Sequence, residues 1–530
     1  MKKNLQKLLS CLLAFCLLLP SLAVFAFAQT KTPIVYVRGE NAIYATKEDG
    51  SRYAPREEFA DELVAKIVPE LVPDFAKALV TGDYTEWSAK ALEAISPIYE
   101  PIGPHPDGTL PENTGIKWSW SPATLRPTDA RYNEYDFWWD PRRAPLDVAD
   151  DLNEYIQAVK QQNNVDKVVL ASCCAGTSEE AAYLTKYGTQ DVAKVIFLCN
   201  SLHGFGFADL SLSGNVTICG SALYRYLQEY DLLGGLDDGV TAFLMATLKA
   251  LNVDATADEI IDLFMNVYDK IGDCFIAPYI RMYLGTALGD VATVDEHFDD
   301  YLDYVFPTEE LKTEYAPIIA KAVEFHETVQ KPLDDMLREI NANGTPVYFV
   351  ANYGEQTYPV GDMSDYVGDE LQSVYRQSFG ATTARVPETL SDSYIAKQTE
   401  KGLGNYISPD KQIDASTCMF PDQTWFIKNL RHAYENTAVF SLLDLIANTD
   451  GAKVDTSEAF PQFLNANESL SAVTPAQAVN ANDIDWDALE PPQMNEKGEF
   501  FVNIIAFFAK IAAFINRIIR AVKNLFGIAN

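Results

Sequence analysis

Basic residues are scarce in this chain. Lysine and arginine together number 41 in 530 residues, against 75 aspartates and glutamates, so the formal net charge is −34. Because so acidic a protein repels phosphate backbones, we do not expect nucleic acid as a partner. Histidine is rarer still, with five residues, so few positions can supply a catalytic imidazole.

Cysteine is also sparse, and its spacing shows none of the common zinc motifs. Two of the eight cysteines lie in the first 28 residues, and the other six are Cys173, Cys174, Cys199, Cys219, Cys274 and Cys418. They form no C-x-x-C or Cys/His pair of the kind that binds zinc, so we predict no metal site and no cofactor. Six thiols permit three disulfides in an exported chain, but they are too few for a disulfide framework.

The N-terminal residues have the pattern of an export signal. Three lysines among the first seven residues precede an apolar run over residues 8–27, which ends in Ala26-Phe27-Ala28. This pattern predicts a signal peptide cleaved after Ala28, and a retained membrane anchor is the alternative. We therefore expect an exported protein, extracellular or at the cell surface. Loss of the three lysines would take the net charge from −34 to −37.

Short β-branched runs alternate with helical periodicity in the first part of the chain. Runs at 32–39, 167–171 and 194–198 predict buried strands, and helical patterns at 148–159 and 179–186 lie between them. This alternation predicts an α/β fold with a mainly parallel central sheet flanked by helices. Helix-period segments dominate residues 205–343, and strand signals return at 345–351 and 424–427.

These patterns divide the chain into six parts. They are a signal peptide (1–28), a first core part (29–204), a helical lid or cap (205–343), a second core part (344–450), a linker (451–499) and a basic amphipathic helix (500–530). The last part has lysines, arginines and asparagines on one side and large apolar residues on the other, which is typical of a segment lying in a membrane interface. The alternative is a helix docked on the acidic body of the protein or on a partner.

A tight turn of small residues separates the strand at 167–171 from the following helix. The turn reads S-C-C-A-G over residues 172–176, in the context of the G-x-S-x-G nucleophile elbow. Ser172 and Gly176 are small enough for strand and helix to cross closely, and Cys174 takes the central nucleophile position next to Cys173. The N–H of Ala175 would contribute to an oxyanion hole. The alternative is that both cysteines are apolar fillers or disulfide partners.

The remaining candidates are a base and an acid. His432 is the only histidine late enough in the chain to be the base of this arrangement, and His203, after the third strand, could line the site. Asp410 and Asp414 lie upstream of His432 and are the candidate acids, since a carboxylate is needed to orient the imidazole. Residues 362–365 offer two lesser acid candidates.

Several of these segments together resemble the lecithin:cholesterol acyltransferase-like branch of the α/β-hydrolase lipases. Residues 135–138 (YDFW) are similar to the family's Y-D-W-R segment, and residues 172–176 to its G-H-S-x-G elbow. Residues 347–359 look like its strand, Y-G-x-G turn and T-x-P run. The resemblance covers roughly residues 30–205 and 345–440, and it implies an α/β-hydrolase fold with a large helical lid.

The resemblance also implies roles for individual residues. It matches residues 408–417 (SPDKQIDAST) to the family's acid loop, which assigns the acid to Asp410 rather than the runner-up Asp414, and it matches His432 to the base. Glu40 follows the first strand where the family has its oxyanion loop, so its N–H would act with that of Ala175.

The sequence departs from the family at the reacting position itself, where Cys174 replaces serine. A thiol is a competent nucleophile beside a base. We therefore expect an exported esterase, lipase or O-acyltransferase that acts on hydrophobic esters, including lipids, through an acyl-cysteine. The alternatives are a thioester or amide hydrolase and a catalytically inactive binding protein of the same fold at the cell surface.

Overall fold

The computed structural model describes residues 31–39, 41–55, 71, 74–75, 77–78, 81–219, 222, 265–284, 294–433, 437–466 and 469–476. Three predictions fall outside these ranges: the signal peptide, Glu40 as part of the oxyanion hole, and the amphipathic helix 500–530.

The described chain alternates strands and helices. The strands are β1 (Ile34–Val37), β2 (Ile43–Thr46), β3 (Arg52–Tyr53), β4 (Thr114–Ile116), β5 (Glu134–Phe137), β6 (Val168–Cys174), β7 (Val192–Asn200), β8 (Val347–Tyr353), β9 (Glu355–Gln356), β10 (Val367–Gly368), β11 (Thr382–Thr383), β12 (Ile413–Asp414), β13 (Thr424–Lys428), β14 (Phe463–Ala466) and β15 (Leu470–Ala472). The α-helices are α1 (Thr85–Tyr99), α2 (Pro145–Asn163), α3 (Gly176–Tyr187), α4 (Gly206–Leu212), α5 (Ala277–Leu284), α6 (Phe298–Val305), α7 (Glu309–Glu314), α8 (Ala316–Phe325), α9 (Leu333–Ala342), α10 (Val374–Gln377), α11 (Asp392–Glu400) and α12 (Thr437–Asn448).

An eight-stranded sheet organises the described chain. Its order is β15-β14-β13-β8-β7-β6-β1-β5, and every neighbouring pair is parallel except β14 with β15. The predicted α/β class with a mainly parallel sheet is confirmed. The strand β1 lies between β5 and β6. The chain therefore passes from β1 to β5 on one side and then crosses to β6 on the other side, where the remaining strands of the sheet follow. In open α/β sheets such a reversal creates a crevice at the carboxyl ends of the strands.

The central strands are buried on both faces because their β-branched and aromatic residues alternate between two cores. On one face, Leu170 and Phe197 pack with Leu152 of α2 and Leu184 of α3. On the other face, Val169 and its neighbours pack against α12. Helices on both faces explain why these strands are nearly continuous apolar runs rather than alternating polar and apolar.

The described parts of residues 205–343 contain helices α4 to α9 and two π-helical turns, Gly272–Ile276 and His326–Gln330. Several of these helices share a separate apolar cluster that includes Ile280, Tyr301 and Ile318. Ile218 forms a bridge with Val360 beside the second part of the core. None of the described helices meets the length and apolarity that crossing a membrane requires.

The linker assigned to residues 451–499 is wrong for its first part. Within it, Phe463–Ala466 forms β14 alongside β13, and Leu470–Ala472 forms β15 at the sheet edge. Phe463 and Leu464 are buried at 7% and 0% exposure, so they belong to the core. Of the residues that suggested a linker, Asn465 lies within β14 and Pro461 lies shortly before it.

Candidate functional site

Cys174 lies at a sharp corner at the carboxyl end of β6. It is the last residue of that strand, and α3 begins at Gly176. Its φ is 52°, a left-handed conformation that a side chain other than glycine seldom adopts. The pairing of β6 with β7 also shifts register between Cys173 and Cys174. The predicted strand, tight turn and helix are therefore present, with backbone strain at the residue expected to react.

Gly176 allows α3 to start directly against β1. A Cβ atom on this residue would lie 2.3 Å from the carbonyl oxygen of Arg38 and 2.7 Å from that of Val37. Such distances are far inside van der Waals contact, so the close crossing requires glycine. The predicted need for a small residue at position 176 has this physical basis.

The loop that follows β1 passes beside the thiol. A Cβ atom on Gly39 would lie 3.3 Å from Cβ and 3.8 Å from Sγ of Cys174. The backbone of this loop thus approaches the sulfur closely, on the side where the sequence analysis expects an oxyanion hole. Ala175, whose N–H is the other expected donor, is buried at 7% exposure.

His432 lies on the loop after β13 and is held by Asp369. Its Nδ1 is 2.8 Å from Oδ2 of Asp369, and its backbone N–H donates to the Asp369 carbonyl oxygen at 2.9 Å. Asp369 is fully buried, and its Oδ1 accepts the backbone N–H groups of Leu371 and Gln372 at 3.1 and 2.7 Å. The carboxylate is thus fixed in a tight turn and oriented toward the ring. A carboxylate on Nδ1 leaves Nε2 as the nitrogen that can exchange a proton with a substrate or nucleophile.

The second ring nitrogen of His432 is buried without a partner. Its side chain is 9% exposed, and Nε2 has no hydrogen bond to any described residue. Burial opposes protonation, but the negative charge of Asp369, together with charge on Cys174 and Cys199, outweighs it and raises the pKa of His432 well above its ordinary value. The charged form of the ring is therefore favoured at this position.

Asp410, the predicted acid, lies elsewhere. Its Oδ2 accepts from Lys428 Nζ at 2.7 Å and from the Tyr353 hydroxyl at 3.1 Å, and its Oδ1 accepts from Ser408 Oγ at 2.6 Å. Neither nitrogen of His432 bonds to it. The prediction that Asp410 orients His432 is wrong, because Asp410 pairs with Lys428 instead. The carboxylate that bonds to His432 is that of Asp369.

The runner-up acid is excluded by the same kind of observation. Asp414 accepts hydrogen bonds from the Tyr394 hydroxyl at 2.8 Å and from the Ser416 backbone N–H at 2.9 Å, and it is fully buried. These contacts hold the turn after β12. Of the lesser candidates, Asp365 pairs with Arg385 at 3.6 Å.

Asp369 was missed although a signal for it exists. It directly follows β10, in the segment Val367-Gly368-Asp369-Glu370, and so lies downstream of β8. In the sheet, β8 lies next to β13, the strand that precedes His432. Because adjacent parallel strands end at the same edge of the sheet, an acid that contacts His432 after β13 is expected in the loop after β8. The chain has 75 acidic residues, so an acid can be chosen from the sequence only by a local motif. The similarity of residues 408–417 to the family's acid loop therefore favoured Asp410.

Cys199 lies near the end of β7, and its sulfur is within 4.8 Å of Asp369 and His432. It is 2% exposed, and burial raises the pKa of its thiol to about 12. Its φ is 32°, and Glu370 and Ala433, the residues that follow Asp369 and His432, have φ values of 85° and 50°. Together with Cys174, four strained residues thus meet at one end of the sheet. Backbone strain of this kind clusters at functional sites.

His203 does not join the Cys174 and His432 pair by hydrogen bonding. Its Nε2 is 2.9 Å from Asp334 and its Nδ1 is 3.3 Å from Asp295, and both aspartates belong to the helical region. Burial disfavours the charged ring, but these two carboxylates outweigh it and raise the pKa of His203 to about 9. The residue predicted to line a pocket is therefore a cationic link between the first core part and the helical region.

Comparison with known proteins gives no assignment: no family model matches the chain, and no curated protein is significantly similar to it.

Proposed function

We propose that this chain has the α/β-hydrolase fold and is an acyl-transfer enzyme with the triad Cys174, Asp369 and His432. The observation that carries the proposal is Cys174 on a strained elbow, together with a histidine whose Nδ1 is bonded to a buried carboxylate and whose ring is influenced by charge on Cys174. The order along the chain supports it as well. Cys174 ends β6, Asp369 comes after β8 and directly follows β10, and His432 comes after β13, which is the nucleophile, acid, base order that this fold uses.

The reaction begins with proton transfer from Cys174 Sγ to His432 Nε2. The thiolate attacks the ester carbonyl carbon, and the resulting oxyanion lies near the Ala175 N–H, at the loop that contains Gly39. His432 then protonates the leaving alkoxide as the carbon–oxygen bond breaks, which leaves a thioester on Cys174. Asp369 does not take up the proton but stabilises the imidazolium and fixes its orientation.

The second half restores the enzyme. His432 removes a proton from water or from an acceptor alcohol, the oxygen attacks the thioester, and the sulfur leaves as thiolate and regains a proton from His432. Water gives hydrolysis and an alcohol gives acyl transfer. The substrate we propose is a hydrophobic ester, because the chain devotes a long helical region to the neighbourhood of the site, as lipases do for lipid esters.

The test is labelling and turnover in the same preparation. Wild-type protein should react saturably with a thiol-directed acylating probe and hydrolyse members of a panel of short-chain, long-chain and phospholipid esters. Cys174→Ala should lose both, while Cys418→Ala, which removes another buried thiol, should keep them. An inert Cys174 together with undiminished lipid binding would instead indicate a binding protein of this fold. Turnover of thioesters or amides but not esters would redirect the reaction class.

Localisation forms a second part of the proposal, based on the sequence. We infer export, with cleavage after Ala28, and attachment to a membrane surface through residues 500–530. Deleting those residues should release the protein from vesicles of anionic lipid in a co-sedimentation assay, because the deletion removes both the cations and the apolar face. Equal co-sedimentation of full-length and truncated chains would show that another surface binds, or that the tail docks on protein.

A further inference from the structure

Two buried hydroxyl groups bond to the carbonyl oxygen of Cys174. Thr177 Oγ1, in the first turn of α3, donates to this oxygen at 2.6 Å, and Ser201 Oγ, directly after β7, donates to it at 3.1 Å. Both side chains are 0% exposed. The carbonyl belongs to the residue whose φ is 52°, so the two bonds act on the strained residue of the elbow itself.

The two hydroxyl-bearing residues are also bonded to each other. The backbone N–H of Ser201 donates to Thr177 Oγ1 at 3.1 Å, and the two side-chain oxygens are 3.2 Å apart. Thr177 has one hydroxyl proton, which the short bond of 2.6 Å assigns to the Cys174 carbonyl, so its oxygen can accept from Ser201. The carboxyl ends of β6 and β7 and the start of α3 are therefore joined at the elbow.

A β-bulge in β7 brings Ser201 to this position. Between Cys173 and Cys174 the pairing with β7 advances by two residues instead of one, so Cys199 is an extra residue without a partner in β6. Its φ of 32° is the backbone distortion that accompanies the extra residue. Bulges are rare between parallel strands, and they often lie next to active sites, where they redirect a side chain. The strain at Cys199 thus has a consequence, since it directs a hydrogen-bond donor to the nucleophile's carbonyl oxygen.

We propose that Thr177 and Ser201 are positioning residues for acyl transfer, because they hold Cys174 in its left-handed conformation. This inference rests on the proposed function. A left-handed residue other than glycine tends to relax toward negative φ, and that rotation would swing its Cβ and sulfur relative to β6. Two donors on the carbonyl oxygen oppose the rotation, since it would carry the oxygen away from both of them. The hydroxyls act through Cys174 and not on the substrate.

The serine distinguishes this arrangement from an ordinary helix start. A threonine in the first turn of a helix often bonds back to a nearby carbonyl oxygen, and the Thr177 contact alone would need no further explanation. Ser201, by contrast, comes from another strand and reaches the carbonyl through a distorted backbone. Because backbone distortion is unfavourable, its retention beside the nucleophile indicates that the second bond matters for the geometry of the elbow.

The experiment separates positioning from folding by the split between kcat and KM. Thr177→Val and Ser201→Ala in the full-length chain should each lower kcat on the best ester about 3- to 10-fold, and the double variant about 10- to 100-fold, while KM changes by less than about twofold. Thr177→Ser keeps the hydroxyl and should keep kcat within about twofold. The matched control is Thr424→Val, which should keep the wild-type kcat. Thr424 is also 0% exposed and donates to the Phe420 carbonyl oxygen at 2.8 Å, but it lies at the amino end of β13.

A second pair of measurements needs no turnover. Alkylation of Cys174 by iodoacetamide, followed by peptide mass spectrometry, should slow about 3- to 10-fold in the double variant, because a turned sulfur leaves the start of α3, whose N–H groups favour a thiolate. A crystal structure of that variant should show residue 174 with negative φ. If the double variant shows both changes while the wild type turns over no ester, the proposed function fails and the hold on the elbow stands. Should the double variant not fold, Ser201→Ala alone provides the same test. Wild-type turnover with unchanged kcat and φ in the folded variant would overturn the positioning role.

Discussion

Two buried aspartates, Asp369 and Asp410, show how the candidate site differs from a structural cluster. Asp369 is 0% exposed and pairs with His432, and Asp410 is 3% exposed and pairs with Lys428. Both of the oxygens of Asp410 are bonded to side chains that the fold itself supplies. The Asp369 pair differs in that it ends in a buried nitrogen, Nε2 of His432, that bonds to nothing described.

The comparison teaches that an unpartnered nitrogen combined with backbone strain distinguishes the surroundings of Asp369 from those of Asp410, whereas burial does not. A buried polar atom without a partner is unfavourable by about 1–3 kcal/mol, so folds seldom retain one unless something else requires it. Strain at Cys174, Cys199, Glu370 and Ala433 is a second unfavourable contribution in the same place. Asp410 itself has neither an unpartnered oxygen nor a positive φ. The next residue, Lys411, has a φ of 61°.

The largest effect should come from Asp369→Asn. The amide can no longer stabilise the imidazolium or fix its tautomer, so we expect kcat/KM on the best ester to fall roughly 10²–10⁴-fold, while the fold is retained. Steady-state kinetics with matched circular dichroism measures this. A fall of less than about threefold would show that Asp369 is structural, like Asp410, and the contrast between the two would disappear.

Gly176→Ala should have the next largest effect. Its Cβ would meet the Arg38 carbonyl oxygen at 2.3 Å, so the elbow must move away from β1. We expect a loss of about 2–4 kcal/mol in the free energy of unfolding, measured by urea denaturation. The control is Gly188→Ala at the other end of α3, where φ is 67° and nothing lies within 4 Å of the added carbon. That variant meets no clash, and its φ of 67° and ψ of −157° lie in a region that almost only glycine adopts, so it should lose about 1–2 kcal/mol from backbone strain alone. Equal losses would mean that the crossing at Gly176 is not tight.

Asp410→Asn should affect stability and spare the reaction. Removing the charge leaves Lys428, which is 25% exposed, without its ion pair, so we expect a loss of roughly 1–3 kcal/mol in the free energy of unfolding. We expect kcat/KM to change by less than about twofold, since Asp410 bonds to neither nitrogen of His432. The opposite pattern, with normal stability and impaired turnover, would restore Asp410 as the acid.

The strands were predictable because their signal is local. The β-branched runs at 167–171, 194–198 and 345–351 became β6, β7 and β8 with boundaries shifted by a few residues. Burial on both faces of a parallel sheet demands such runs, whatever the rest of the chain does. By contrast, β14 has only four residues, and its partner β13 supplies the hydrogen bonds that define it, so the linker interpretation could not be corrected from the sequence.

The same distinction applies to the candidate site: residues with a local sequence signal could be predicted, and residues that depend on tertiary contacts could not. Cys174 carries a local signal, a small-residue turn between a strand and a helix, and His432 could be chosen because only five histidines exist. Asp369 depends on tertiary contacts: its only signal in the chain is its place in the loop region after β8, and its role comes from the approach of the loop after β13. Cys199 is in the same position, since only the register of β7 against β6 brings it near the elbow.

The smallest effect concerns a second histidine with carboxylate partners, His203, which sharpens the contrast with His432. Both of its nitrogens are bonded, to Asp295 and Asp334, so it should contribute to stability alone. Its pKa is raised to about 9 in the folded protein, against about 6.5 in an unfolded chain. The stabilisation is therefore fully present below about pH 6.5 and is lost as the pH rises through about 9. Because Asp334 is 47% exposed, solvent screens the pair and we expect about 1 kcal/mol. Urea denaturation should show wild type more stable than His203→Gln at pH 6 and equal to it near pH 10, with His105→Gln, at an exposed histidine, as the matched control. A His203→Gln deficit that stays constant from pH 6 to 10 would mean that packing, and not the ionised pair, joins the helical region to the core.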